Sequence, residues 1–234
     1  MRRRSVAAAA ISALTALLIL SGCAIPGFGD GSTEDPTAGG TSPRPDESAT
    51  MPTEIPSWLL ECGSDDKDRD EELQLSTLDL TQATWSMPDG FTEASGYFED
   101  NPVETLYSDW VAEPTDPPMP RLNVLSLVLY TGVDWGDLAD ECGRVPLEAV
   151  EEKLARYRDQ IGARPLSDAE MTTLAGLPAI RQEIGLSSYD YTGWWLFSET
   201  QLLHLYCQWT DEQYREVIVA GCEAVAASVA VPGA

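Results

Sequence analysis

Any chemistry in this chain must be built from one histidine, five cysteines and a large stock of carboxylates. A Ser-His-Asp or Cys-His site needs an imidazole base. The only imidazole is His204, set between Leu203 and Leu205 in an apolar stretch that reads as a strand, where a histidine serves structure. No G-x-S-x-G nucleophile turn is present. Neither G-x-x-x-x-G-K nor G-x-G-x-x-G occurs, so no phosphate-binding loop is expected. The run SDDKDRDEE (64–72) spaces Asp66, Asp68 and Asp70 as in a calcium loop. The sixth position is then Glu71 where glycine is required, and the twelfth is Thr77 where glutamate is required. A solvated acidic loop accounts for it. A calcium-responsive module would instead reveal itself by a calcium-dependent rise in melting temperature. A carboxylate pair for sugar hydrolysis stays open, because 39 acidic residues offer many pairs and their spacing carries no signal. The reading therefore assigns no catalytic residue, no metal ligand and no cofactor.

The stretch most suggestive of binding is SSYDYTGWWLF (187–197). Successive strand residues alternate between faces. Tyr189, Tyr191, Trp195 and Phe197 then share one face, with Trp194 and Leu196 on the other. Aromatic side chains give a large contact area and suit binding surfaces. If both faces are covered, every ring is core. If one is open, Tyr189, Tyr191 and Trp195, with Tyr206 or His204 from the next strand, line a groove. Such a groove would take an apolar ligand, a glycan or an envelope protein.

Those residues need elements to hold them. Alternation marks strands at 73–80 and 121–132, the latter rich in Val and Leu. Pro88-Asp89-Gly90 marks a turn. VPLEAVEEKLARYRDQIG (145–162) reads as a helix, with Pro146 in its first turn and Gly162 at its end. Its apolar stripe is Leu147, Val150, Leu154, Tyr157 and Ile161. Shorter strands follow at 171–174, 179–186, 189–197 and 202–209, the last two forming a hairpin at 198–200. A helix over 212–229 closes the chain, with Thr210 and Gln213 spaced as a capping box. The fold class is α+β: an antiparallel β-sheet with packed helices.

Four cysteines follow Cys23, namely Cys62, Cys142, Cys207 and Cys222. An even number in an exported chain points to two disulfides. Leu203, Leu205, Cys207 and Trp209 form the more apolar face of their strand, opposite His204 and Gln208. The final helix turns Tyr214, Val217, Ile218, Cys222, Val225 and Val229 to one side. Packing the two together brings Cys207 to Cys222. By elimination Cys62 pairs with Cys142.

The leader sets the address. Arg2, Arg3 and Arg4 precede an apolar run from Val6 to Leu20, too short for the roughly 20 residues of a membrane span. This is the pattern of a secretory signal peptide. It ends in Leu-Ser-Gly-Cys, which resembles the lipobox of bacterial lipoproteins. That resemblance implies cleavage after residue 22, acylation of Cys23 by palmitate-like chains, and a lipid anchor on the outer face of the cytoplasmic membrane. Residues 23–57 are rich in Pro, Gly, Ser and Thr and read as a disordered tether. A coil of that length has an end-to-end distance of roughly 30–35 Å. Residues 58–234 form a single globular domain. The leader holds three of the 14 basic residues and none of the 39 acidic ones, so the processed chain would carry 11 against 39, a net charge near −28. Such a surface repels phosphate backbones, and no nucleic-acid partner is expected.

The order of elements resembles the PsbP-like lipoproteins of actinobacteria, the LpqN/LpqT group. The resemblance is carried by Trp85, Pro88, Gly90 and Phe91 in TWSMPDGF. It continues with Leu174, Gly176, Leu177, Pro178 and Ala179 in TLAGLPAI, and spans most of 73–230. It implies an antiparallel sheet with helices packed on it in an α/β/α arrangement. It also implies a binding or accessory role at the cell envelope, without a shared catalytic set. The functional expectation is a membrane-anchored, non-catalytic binding domain. The alternative is a carboxylate-dependent hydrolase of cell-wall glycans.

Overall fold

The computed structural model describes residues 71–234. The expected signal peptide, Cys23, the expected tether, Cys62 and most of the acidic run lie outside the described residues. The chain divides at residue 50 into two units, and every described residue belongs to the second.

Strand β1 (Glu72–Gln74) is followed by β2 (Phe91–Glu93), β3 (Thr105–Pro114), β4 (Val124–Thr131) and β5 (Arg144–Pro146). Helix α1 (Leu147–Ile161) leads to β6 (Arg164–Pro165), β7 (Glu170–Leu174), β8 (Leu177–Gly185), β9 (Asp190–Phe197) and β10 (Gln201–Trp209), and helix α2 (Glu212–Ser228) ends the fold. The main sheet runs β2-β3-β4-β10-β9-β8-β6, with β7 also paired to β8, and every pair is antiparallel. Strands β1 and β5 pair separately.

Strand parity decides which helix each residue meets. In β4, Leu125, Leu127 and Leu129 join one core, while Val128 and Tyr130 join another. In β10, Leu203, Leu205, Cys207 and Trp209 face the first core, with Ile218, Cys222 and Val225 of α2. Leu202 faces the second, with Val150, Leu154 and Tyr157 of α1. A helix covers each face, so the central strands bury nearly every residue. This is the α+β sandwich of one sheet between two helices. On the less apolar face of β10, His204 and Gln208 are buried and Tyr206 is half-buried.

Cys207 and Cys222 are bonded, with Cα atoms 5.8 Å apart. Cys142 is also disulfide-bonded; its expected partner Cys62 is outside the described residues. The Cys207–Cys222 bridge closes a separation of 15 residues, which stabilises by about 3 kcal/mol in the chain-entropy account. Replacing both cysteines with serine is expected to lower the unfolding free energy by at least that amount, since both positions are fully buried. Urea titration reads the change; a loss under about 1 kcal/mol would mean that burial alone holds α2 on the sheet.

Two local expectations are corrected. The strand expected over 73–80 stops at Gln74, because Ser76 crosses to the main sheet, donating its N–H to the Phe197 carbonyl and bridging Ser198, and Asp79 then caps a 3-10 turn at Leu80–Gln82. Its carboxylate accepts from the Thr81 N–H, the Thr81 hydroxyl and the Gln201 amide. The capping residue of α2 is Asp211, which accepts from the Gln213 N–H. Thr210 is held by Asn123 instead, donating from its N–H at 3.0 Å. Helix α1 lies within its expected span and ends at Gly162 in the left-handed conformation, φ 68°, while Pro146, expected in its first turn, is its N-cap and the last residue of β5. Among the described residues, no helix is long and apolar enough to cross a membrane.

Candidate functional site

On the α1 side, the sheet is not fully roofed. Alternate positions of three neighbouring strands point there: Val124 and Ser126 of β4, His204, Tyr206 and Gln208 of β10, and Tyr191 and Trp195 of β9. They floor a cleft of about 640 Å³. The C-terminal half of α1 forms one wall through Leu154, Tyr157, Arg158 and Ile161. The β2–β3 loop forms another, with Tyr97, Phe98, Glu99 and Asp100. Tyr189 and Leu186 in the β8–β9 turn, and Leu122 before β4, complete the rim. A volume of this size suits a small molecule.

Tyr189, Tyr191, Trp195, His204 and Tyr206 all lie on the lining of this cleft. The rings are packed together. Trp195 and His204 stack at 4.7 Å with planes 18° apart. His204 lies 4.9 Å from Tyr206, and Tyr206 lies 5.4 Å from Tyr191. Core and groove are thus one structure. Trp195 is 3 % exposed and supports the floor from beneath, whereas Tyr189 and Tyr206 are half-buried. Gly193 makes the stack possible. A Cβ there would lie 2.7 Å from the Trp195 ring and 3.0 Å from His204 Nε2.

The loop wall is tied down by side chains far away in sequence. Glu99 accepts from the Tyr206 hydroxyl at 3.2 Å and from the Asn101 N–H at 2.9 Å. The Glu99 N–H donates to Asp109 at 2.9 Å. The Tyr97 hydroxyl accepts from the Leu122 N–H, and Arg121 sits over the Tyr97 ring at 5.4 Å. Toward α1, Tyr157 donates to Glu104 at 2.5 Å, and Gln160 donates to the Pro102 carbonyl.

Burial shapes the electrostatics. It pushes His204 down from 6.5 to about 3, so the imidazole is neutral at ordinary pH. Its Nε2 is buried and has no hydrogen-bond partner among the described residues. Burial first, and the Glu99 charge second, raise Tyr130 and Tyr206 well above the ordinary tyrosine range. Tyr189 rises for the same two reasons in the same order. The phenols therefore stay protonated as donors. Glu99 and Asp100 are the carboxylates on the cleft lining, and they are chain neighbours on one wall. Glycoside hydrolysis needs two carboxyls flanking the scissile bond. Among the described residues, no cluster of three or more His, Cys, Asp or Glu is placed to hold a metal ion.

Sequence reasoning missed Glu99, Tyr130, Tyr157 and Arg158 as cleft residues. Tyr157 was legible as helix stripe and Tyr130 as strand, and both looked like plain core. Glu99 lies in a loop without periodicity, so no signal pointed to it.

No protein-family model matches the chain, and no curated protein matches it. Among solved structures, the cyanobacterial PsbP (CyanoP) from Synechocystis is similar at 12% identity, covering 69% of this chain and 93% of that one, with a TM-score of 0.43.

Proposed function

We propose that this chain is an exported, lipid-anchored binding protein of the LpqN/LpqT type, whose α+β domain holds a small, largely apolar ligand without transforming it. One observation carries the reading: residues from three strands, one helix and a loop converge on a single aromatic-floored cleft of ligand size. The floor is rigid, since its rings stack on each other and on a bonded sheet. The walls bring hydrogen-bonding phenols and two neighbouring carboxylates, which orient a ligand. They bring no nucleophile–base pair, and Glu99 and Asp100 share one wall instead of facing each other across the cleft. That geometry favours binding over the hydrolase alternative.

The leader ending at Cys23 supports attachment to the outer face of the cytoplasmic membrane. Acyl chains hold by roughly 0.8 kcal/mol per buried CH₂, and two chains anchor stably. Native mass spectrometry of the full protein, extracted from its host membrane in mild detergent, tests both halves. A cleaved N-terminus at Cys23 carrying acyl mass, plus a reproducible non-covalent adduct, is expected. A bare protein would remove the ligand-carrier reading, and an unmodified Cys23 would remove the anchor.

A further inference from the structure

We infer that the cleft selects an organic ammonium ion bearing an apolar substituent, seated against the Glu99 carboxylate among the tyrosine rings. The inference rests on the reading of the cleft as a ligand site and adds the charge of what occupies it.

The first observation is an uncompensated carboxylate. Glu99 is half-buried on the cleft wall and held by the Tyr206 hydroxyl at 3.2 Å. Among the described residues, it has no cationic side chain within ion-pair distance. The two guanidinium groups on the lining keep their charge and are not paired with Glu99. Arg158 donates to Gln182 at 2.8 Å, and Arg121 lies over Tyr97 at 5.4 Å. A wholly apolar ligand would strip water from Glu99 and put nothing in its place, which is unfavourable for a charge. A cation restores the lost solvation.

The second observation is the lining itself. Tyrosine and tryptophan rings attract a cation to their electron-rich faces, more strongly where water is excluded. His204 is neutral, so the only positive groups on the lining are Arg121 and Arg158, and Arg158 acts on Tyr191 at the far side of the floor. The Glu99 field is felt across the cleft, since it helps to raise Tyr130, Tyr189 and Tyr206 above their ordinary range. The same negative potential that keeps phenols protonated favours a bound cation. Phe98, 72 % exposed, and Leu122 at the rim supply apolar contact for a substituent. The formal net charge of −25 draws cations toward the surface and repels anionic competitors.

Choline and 3,3-dimethylbutan-1-ol have the same shape and differ in charge, so they isolate the term. Calorimetric titration of the full protein with each probe is expected to show choline binding at least tenfold more tightly. Glu99→Gln should remove that preference. Tyr206→Phe keeps the ring and should retain the preference. Equal affinity for the two probes, or choline binding that ignores Glu99→Gln, overturns the assignment while leaving the cleft a site for neutral ligands. Failure of choline to bind overturns it as well. The wild-type comparison decides whether or not the Glu99 variant folds, and the adduct experiment above judges the wider binding reading separately.

Discussion

Trp195→Ala is expected to lower the unfolding free energy by about 3–5 kcal/mol, the range for deleting a buried aromatic side chain. Trp195 is 3 % exposed, so truncation removes nearly its whole apolar area from the core. It lies opposite both Ile180 and His204 in the ladders of β8 and β10. Its ring stacks on His204 at 4.7 Å and meets Tyr191 at 6.4 Å. Nothing nearby collapses readily into the gap, because the neighbouring rings are fixed on the paired strands β9 and β10. The gap would merge with the cleft and admit water beneath the floor. Urea unfolding followed by far-UV circular dichroism reads the loss. A change under about 1 kcal/mol would show that the ring does not carry the floor. Binding lost in this variant would report the fold and say nothing of contact with a ligand. Ligand tests therefore belong to Glu99 and Tyr206, which touch the cleft with less of their area in the core.

The sequence pattern exposed which residues share a face, and left open which face is open. In β10, Leu203, Leu205, Cys207 and Trp209 alternate with more polar neighbours. That contrast was enough to place α2 and the Cys207–Cys222 bridge. In β9 the run from Thr192 to Phe197 is buried on both faces. Parity sorted Tyr191 and Trp195 from Trp194 and Leu196, but hydrophobicity could not rank the two sides. The opening is set by where α1 and the β2–β3 loop lie. The Glu99–Tyr206 contact spans a separation of 107 residues, and no local pattern records it. Strand β3 escaped notice for a different reason. Its first half is a solvent-exposed edge, and its pairing with β4 slips between Leu106 and Ser108. The bulge breaks the alternation that marks a strand. The end of β1 was misplaced because Ser76 switches to a partner 122 residues away, at Ser198, and the cap of α2 because the Asp211 side chain accepts from the Gln213 N–H. Its competitor, Thr210, is compatible with the same sequence spacing.

His204 should make stability fall with acid in a window that carboxylates alone would not give. Burial lowers its pKa from 6.5 to about 3. Between these values, the unfolded chain binds a proton that the native chain refuses. The unfolded state then holds more protons, so stability rises with pH across the window and drops as pH falls from about 6.5 toward 3. Above 6.5 both states are neutral at this position and the contribution is flat. The slope is about 1.4 kcal/mol per pH unit for one fully refused proton, roughly 4 kcal/mol over most of the window. The aromatic surroundings explain why the native state refuses. Trp195, Tyr191 and Tyr206 ring the imidazole, and Nε2 faces the space above Gly193 without a hydrogen-bond partner among the described residues. The chain's many carboxylates titrate over the same range, and acid relieves their mutual repulsion. A comparison with His204→Phe cancels them, since phenylalanine keeps a ring against Trp195 and cannot titrate. Unfolding free energies of both proteins, measured by urea at intervals from pH 7.5 to 4, should diverge below about pH 6.5, with wild type losing ground. Parallel curves would mean that His204 takes up its proton in the native state, which requires water or an acceptor at Nε2 and a floor less tightly closed than the stacked rings describe.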